Sequence, residues 1–191
     1  MFIITLLLSF VTGFFAPATV PGAASLPVRI EKDNSSKNEK LSWSAQRKLN
    51  WEDFKADPDE ENPHHALTAA NLALDAKCRN NKLEFEVSCV FLPTQSWSKN
   101  KKSEKLLYHE QLHFDLTEVH ARLLRKKLYA LGTACDNVQE KLGPTVTEAF
   151  AAWKAEQDEF DKMARHGLDT TVQMEWAANI EQRLQELEAY Q

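Results

Sequence analysis

Apolar and polar residues alternate in two neighbouring segments of this chain, a pattern typical of half-buried β-strands. The alternation runs over residues 68–78 and again over residues 83–91. Asn80 and Asn81 lie between the two segments, and both tolerate the left-handed backbone of a tight turn. The pattern therefore predicts an antiparallel hairpin, which Pro93 ends.

Helical spacing replaces this alternation in the second half of the chain. Residues 104–131 contain neither Gly nor Pro and predict a long helix that ends near Gly132. Residues 136–142 predict a short helical piece, which Gly143 and Pro144 are expected to break.

Two further long helices are predicted towards the C-terminus. The first covers about residues 145–165 and is stopped by Gly167. The last begins near Thr170, where Thr170 and Gln173 have the spacing of a capping box. Strands in the first half of the chain and helices in the second favour an α+β domain.

The N-terminal segment has the pattern of a secretory signal peptide. Residues 2–15 are almost entirely apolar, and this run is too short for a comfortable membrane span. We expect cleavage after Ala18 or Ala24, export to the periplasm or the extracellular medium, and no stable membrane span afterwards. No Lys or Arg precedes the apolar run, so an uncleaved anchor and a misassigned start stay open as alternatives. The expected divisions are residues 1–24 as signal peptide, 25–40 as a flexible lead-in and 41–191 as a single domain.

Charge and cysteine positions narrow the functional classes. The formal net charge is −5 and the basic residues are scattered, so no nucleic-acid partner is expected. In the predicted hairpin Cys78 faces Leu83 and Cys89 faces Leu72, which places the two thiols too far apart to bridge. Any disulfide, which export would permit, is therefore expected to include Cys135.

The most specific motif of the chain is H-E-x-x-H, formed by His109, Glu110 and His113 inside the long predicted helix. Two residues four apart lie on one helical face, about 6 Å apart along the axis, so both imidazoles can reach one ion. Zn²⁺ takes neutral imidazole nitrogens, and Glu110 can hold a water that the metal acidifies. The motif indicates a zinc metallopeptidase. The alternative is a partly exposed helix that carries two surface histidines.

The residues around this motif resemble a known bacterial family. The resemblance is carried by residues 41–43, 49–54, 66–69, 96–98, 106–118 and 121–122, and by Phe160-Asp161 followed by His166-Gly167. In combination these stretches resemble the bacterial domain of unknown function 922 family, commonly described as candidate secreted zinc-dependent proteases. The resemblance covers roughly residues 41–184. It implies a zincin-like fold and peptidase chemistry, but no particular substrate.

A catalytic zinc usually has three protein ligands and a water, so the motif leaves one ligand to be found. His166 ends a predicted helix beside Gly167, where the chain can turn sharply, and it matches the His-Gly that closes the family pattern. We expect His166 to be the third ligand. Asp161, which matches the family's Asp, either orients a metal-bound histidine or is itself the ligand.

Other candidates are less well placed. His120 lies about 10 Å further along the helix than His113, and Glu118 lies about 140° around the helix from it. Both are expected to pack or to support the site, and to be ligands only if the helix distorts. His64 and His65 lie on an acidic loop, where a histidine pair is usually solvated.

The sequence thus predicts a zincin-like α+β domain with a small antiparallel sheet, the H-E-x-x-H helix and two further long helices. Zn²⁺ is expected on His109, His113 and His166, with Glu110 as the general base towards a protein or peptide substrate, which the cell envelope could supply. The donor to the oxyanion is open among Tyr108, Arg165 and Tyr190. Two alternatives remain: a zinc hydrolase of other amides such as peptidoglycan cross-links, and a non-catalytic envelope binding protein.

Overall fold

A computed structural model describes residues 39–191 of the chain, apart from the side chains of Asn137 and Gln139. The expected signal peptide, residues 1–24, lies outside the described residues, as does all of the expected lead-in except residues 39 and 40. No helix in the described part is both long enough and apolar enough to cross a membrane.

Strands come first and helices follow along the described chain. The strands are β1 (Leu41–Ser42), β2 (Ala66–Leu67), β3 (Ala70–Arg79), β4 (Lys82–Phe91) and β5 (Trp97–Ser98), and the helices are α1 (Glu104–Leu131), α2 (Cys135–Met163) and α3 (Thr170–Glu186). One antiparallel sheet has the order β1-β4-β3, and a second pairs β2 with β5. The predicted α+β class is therefore confirmed.

β3 and β4 form the predicted hairpin in the predicted register. Leu72 lies opposite Cys89. Asn80 and Asn81 have φ angles of 50° and 60°, the left-handed pair that a two-residue hairpin turn of type I′ requires. The apolar face of the hairpin, which includes Leu72 and Phe91, belongs to one apolar cluster with residues of α1.

α1 lies between the sheet and the other two helices. Phe114 and Leu124 pack with the strands in the first apolar cluster. On another side of α1, Leu116 packs with Phe160 of α2 and Ile180 of α3 in a second cluster. Because α1 is covered from both directions, its polar side chains must find their partners inside the protein.

The expected break at Gly143 and Pro144 is wrong, because α2 is a single helix with Pro144 inside it. A proline in a helix interior removes one backbone hydrogen bond and destabilises the helix by about 3 kcal/mol. Val138 and Ala149, on either side of the proline, are buried, and Val146 packs against the first apolar cluster. These tertiary contacts on both sides of Pro144 offset the local preference for a break.

The last helix begins at Thr170 as predicted, but its cap is different. Asp169 is the N-cap, and its side chain accepts a hydrogen bond from the amide of Val172 at 3.1 Å. The expected capping box of Thr170 and Gln173 is therefore wrong. The side chain of Gln173 is instead buried, and its Oε1 lies 3.1 Å from Nδ1 of His109.

One disulfide joins the hairpin to α2. Cys78 near the end of β3 is bonded to Cys135 at the start of α2, 57 residues further along the chain. Cys89 is buried and free. The prediction that any disulfide would include Cys135 is confirmed.

Breaking this disulfide should lower the free energy of unfolding by up to about 4 kcal/mol, because closing a loop of this length restricts the unfolded chain. Urea unfolding of the wild type with and without reductant, and of Cys78→Ser, measures the loss. Cys89→Ala is the control and should keep the dependence on reductant. Identical midpoints for the wild type with and without reductant would contradict the prediction.

Candidate functional site

Two histidines of α1 and an aspartate of α2 bring three metal-ligating atoms together. Nε2 of His109 lies 3.2 Å from Nε2 of His113, and Oδ1 of Asp161 lies 3.0 Å from each of these nitrogens. His109 is 2% exposed, whereas the side chain of Asp161 is 33% exposed, so solvent reaches the cluster from the side of Asp161. Two imidazole nitrogens and a carboxylate oxygen are a donor set that can hold a divalent metal ion.

Local geometry explains how the three residues meet. His109 and His113 are one helical turn apart on α1, as their spacing predicts. Asp161 lies in the last turn of α2, directly after Phe160. The buried ring of Phe160 contacts both imidazoles, with centroid distances of 4.7 Å to His109 and 4.9 Å to His113. An apolar contact between α1 and α2 therefore brings the carboxylate to the histidines.

A glutamine side chain contacts the outer nitrogen of each imidazole. Oε1 of Gln157 on α2 lies 2.6 Å from Nδ1 of His113. Oε1 of Gln173 on α3 lies 3.1 Å from Nδ1 of His109. α1 and α2 therefore supply the three residues of the cluster, and α2 and α3 supply the glutamines that contact its imidazoles.

The negative charge of Asp161 is coupled to the two imidazoles. Burial alone would raise the pKa of the Asp161 carboxyl, but the hydrogen-bonding contacts with the imidazoles of His109 and His113 hold that pKa far below its ordinary value. Burial also opposes the charged form of His113. The hydrogen bond and charge of Asp161, together with the charge of Glu110, nevertheless raise the pKa of His113 to about 9. Without a metal, His113 therefore carries a second ring proton at neutral pH.

Glu110 is 4% exposed and lies between the motif histidines in sequence. Its backbone carbonyl accepts a hydrogen bond from Oγ1 of Thr68 at 3.2 Å, which ties this part of α1 to the chain after β2. The Glu110 carboxylate acts electrostatically on His113. Within residues 39–191, no protein group donates a hydrogen bond to this carboxylate.

His166 lies next to the cluster and contacts the same oxygen of Asp161 as the two motif histidines do. α2 ends at Met163, earlier than expected, and Arg165 and His166 both take left-handed backbone conformations with φ of 50° and 52°. Nδ1 of His166 lies 3.2 Å from Oδ1 of Asp161, and its ring contacts the ring of His64 at 4.6 Å. His166 is not in the group of ligand atoms within 4.8 Å of one another, which consists of His109, His113 and Asp161 among the described residues.

The two other candidates on α1 have partners of their own. Glu118 is buried and accepts hydrogen bonds from Arg122 at 2.9 Å and Arg125 at 3.1 Å. His120 lies 2.6 Å from Glu156. Burial opposes the charge of Glu156, but hydrogen bonds from His120 and Arg183 lower its pKa to about 2. The structure therefore places Glu118 and His120 in separate ion-pair networks.

The candidates for oxyanion donor lie in three different places. Tyr108 lines a groove of about 820 Å³ between α1, α3 and the segment around Trp43, and none of the lining residues of this groove belongs to the cluster. Tyr190 packs against Tyr129. Arg165 is exposed and adjoins His166. Trp97, in β5, is buried.

Sequence reasoning did not assign a role to Gln157 or Gln173. A signal was present for the first, because Gln157 interrupts an apolar stripe of its helix that includes Trp153 and Phe160. A polar residue in such a stripe is buried and needs a partner. For Gln173 no comparable signal exists, since its spacing from Thr170 favoured a cap.

Gly167 leaves room for the cluster and gives a test of its packing. A Cβ atom there would lie 3.1 Å from Cβ and Cγ of His109, whereas one at Gly132 would meet nothing within 4 Å. Both glycines have positive φ, of 80° and 91°. We therefore expect Gly167→Ala to lower the free energy of unfolding by roughly 1–3 kcal/mol more than the control Gly132→Ala. Equal losses in urea unfolding would contradict the close contact with His109.

The chain was compared with known proteins. A family model described as a bacterial protein of unknown function (DUF922) matches residues 43–167. This segment begins at the end of β1, contains His109, His113 and Asp161, and ends at Gly167. No curated protein and no solved structure matches the chain. The match covers well over half of the sequence, so the chain belongs to the DUF922 family of bacterial proteins.

Proposed function

We propose that this protein is an exported zinc-dependent metallopeptidase with a zincin-like active site. The observation that carries the proposal is the convergence of three ligand atoms, from His109, His113 and Asp161, at separations of 3.0–3.2 Å. A tetrahedral zinc bound at about 2.0–2.1 Å separates its ligands by about 3.3 Å, so these separations fit the ion closely. Asp161 is the preferred third ligand in this proposal.

The composition of the cluster supports a catalytic zinc over a structural one. Structural zinc sites are closed by four protein ligands, whereas catalytic sites keep one position for water or substrate. In the described part of the chain no fourth His, Cys, Asp or Glu joins the group of His109, His113 and Asp161. Two histidines and one carboxylate are also a donor set that catalytic zinc uses.

The protein side chains then have separate tasks. His109, His113 and Asp161 would hold Zn²⁺, which when bound polarises a carbonyl and brings the pKa of a coordinated water towards about 7. The Glu110 carboxylate would serve as the general base, accepting a proton from the attacking water and passing it to the leaving amine. The buried ring of Phe160 excludes solvent from one side of the two imidazoles. His166, half-exposed beside Asp161, is positioned to contact the substrate.

Export is part of the same proposal. The disulfide between Cys78 and Cys135 supports it, because disulfides persist in oxidising compartments outside the cytoplasm. Proteins or peptides, including those of the cell envelope, are the proposed substrates.

Zinc binding should require the three ligands and should strengthen with pH. We expect the wild type to bind one Zn²⁺, and His113→Ala and Asp161→Asn to bind it more than about a hundredfold more weakly.

Because the pKa of His113 is raised to about 9 and zinc takes the neutral imidazole, one proton must leave below that pH. Apparent affinity should therefore rise about tenfold per pH unit between about pH 6 and 8.

Competition with a chromophoric chelator measures these affinities. His65→Ala is the matched control, since His65 is an exposed loop histidine, and it should bind zinc as the wild type does. A wild type that binds zinc no more tightly than His113→Ala would overturn the proposed function.

Turnover should depend on Glu110, whereas zinc binding should not. Glu110→Gln keeps the shape of the side chain but cannot accept a proton, so hydrolysis should fall by about 10²–10⁴-fold while zinc stoichiometry is unchanged. A panel of casein and peptidoglycan peptides measures the activity and separates protein cleavage from hydrolysis of other amides. Glu104→Gln is the control, because Glu104 is an exposed carboxylate on the same helix. Equal turnover by Glu110→Gln and the wild type would refute the assigned base.

A further inference from the structure

We propose that Gln157 and Gln173 are positioning residues of this metal site. Each accepts a hydrogen bond from Nδ1 of one ligand histidine and thereby turns Nε2 of that imidazole towards the metal. The inference rests on the proposed function, and through Gln173 it extends the site to α3.

The amide of Gln157 can have only one orientation. Its Nε2 lies 3.0 Å from the carbonyl oxygen of His113 and 3.0 Å from Oγ1 of Thr117. The Thr117 hydroxyl donates its own proton to the carbonyl oxygen of His113 at 2.9 Å and also accepts from Nε1 of Trp153 at 3.2 Å. Both partners of Gln157 Nε2 are therefore acceptors, and a flipped amide would place its oxygen against them.

This orientation determines which imidazole nitrogen of His113 carries the proton. Since the oxygen of Gln157 faces Nδ1 at 2.6 Å, Nδ1 must be the donor. In a neutral imidazole the other nitrogen then has a free lone pair. That nitrogen, Nε2, is the atom that faces His109 and Asp161. The hydrogen bonds of Thr117 with Trp153 and Gln157 therefore fix the Gln157 amide, and through it they leave the lone pair of His113 Nε2 free to bind the metal.

Gln173 has the equivalent contact with His109. Its side chain is 2% exposed, and its Oε1 lies 3.1 Å from Nδ1 of His109. A Cβ atom at Gly167 would lie 3.3 Å from this oxygen, so the glycine leaves space for the hydrogen bond. Gln173 lies beyond residue 167, where the family match ends. The C-terminal helix α3 is therefore part of the metal site, although it lies outside the matched segment.

A neutral amide has a specific advantage at these two positions. Two negative charges already act on His113, those of Asp161 and Glu110. A carboxylate in place of Gln173 would still accept from Nδ1 of His109 but would add negative charge beside the metal, and one in place of Gln157 would also place an oxygen against the carbonyl oxygen of His113. An amide orients the imidazole and leaves the net charge of the site unchanged.

Four substitutions test the roles of the two glutamines. Gln157→Leu and Gln173→Leu remove the acceptor at similar size, and zinc affinity should fall by about 10–100-fold in each. Gln173→Glu keeps an acceptor for Nδ1 of His109 and should recover most of this loss, whereas Gln157→Glu places its second oxygen against the carbonyl oxygen of His113 and should not. Gln182→Leu is the matched control, because Gln182 is an exposed glutamine of α3 whose side chain donates a hydrogen bond to Glu186. Its zinc affinity should equal that of the wild type.

A second measurement does not need the metal. In ¹H–¹⁵N spectra of the metal-free protein, the Nδ1–H protons of His109 and His113 should exchange slowly with water because each is held in a buried hydrogen bond. Each Leu variant should lose the protection of its own histidine and keep that of the other. Circular dichroism establishes that the variants are folded, and the wild-type spectrum tests the two hydrogen bonds even if a Leu variant does not fold.

The outcomes separate this inference from the proposed function. If the wild type binds zinc and the Leu variants bind it as tightly as Gln182→Leu does, the positioning role is refuted and the metal site stands. Fast exchange of both Nδ1–H protons in the wild type also refutes it. Protected protons in a wild type that binds no zinc overturn the proposed function and, with it, the role of these glutamines in metal binding.

Discussion

A helix buried on nearly every side must satisfy its polar side chains inside the protein, and α1 meets this requirement with several separate networks. On one face, Asp115 accepts hydrogen bonds from Trp43, Lys48 and Gln111. On another, Glu118 is paired with arginines of the same helix. The face that carries His109 and His113 differs from both, because the atoms that meet there are all potential metal ligands. The proposed zinc site uses this convergence, since a divalent cation would bind the three atoms together.

The two sides of α1 are covered by different parts of the fold, and only one of them supplies residues to the cluster. The β1-β4-β3 sheet covers one side with an apolar surface, and Thr68, in the connection between β2 and β3, donates a hydrogen bond to the backbone carbonyl of Glu110. α2 and α3 cover the other side and supply Asp161, Gln157 and Gln173 to the histidines. The cluster thus depends on how three helices pack, and the apolar contacts of Phe160 with α1 and α3 are central to that packing. The disulfide lies at the far end of α2, so it stabilises the fold without touching the cluster.

Local patterns predicted much of this structure, and their failures have a common cause. The hairpin, its register and its Asn80-Asn81 turn were predicted because alternation and turn chemistry act over a few residues. The break expected at Pro144 was wrong because packing on both sides of the proline outweighs its local preference. The cap expected at Thr170 and Gln173 was wrong because Gln173 serves a residue of another helix. In both cases a tertiary contact overrides a local signal.

The sequence by itself determined the relative placement of His109, Glu110 and His113, since one turn of helix sets the spacing of the two imidazoles whatever surrounds them. For the remaining ligand it favoured His166, with Asp161, Glu118 and His120 as alternatives. Only the tertiary structure showed that Asp161 groups with the two imidazoles while His166 does not, and that Gln157 and Gln173 contact the imidazoles. These contacts join residues 44 to 64 positions apart. They are produced by the packing of α2 and α3 onto α1, which no local pattern specifies.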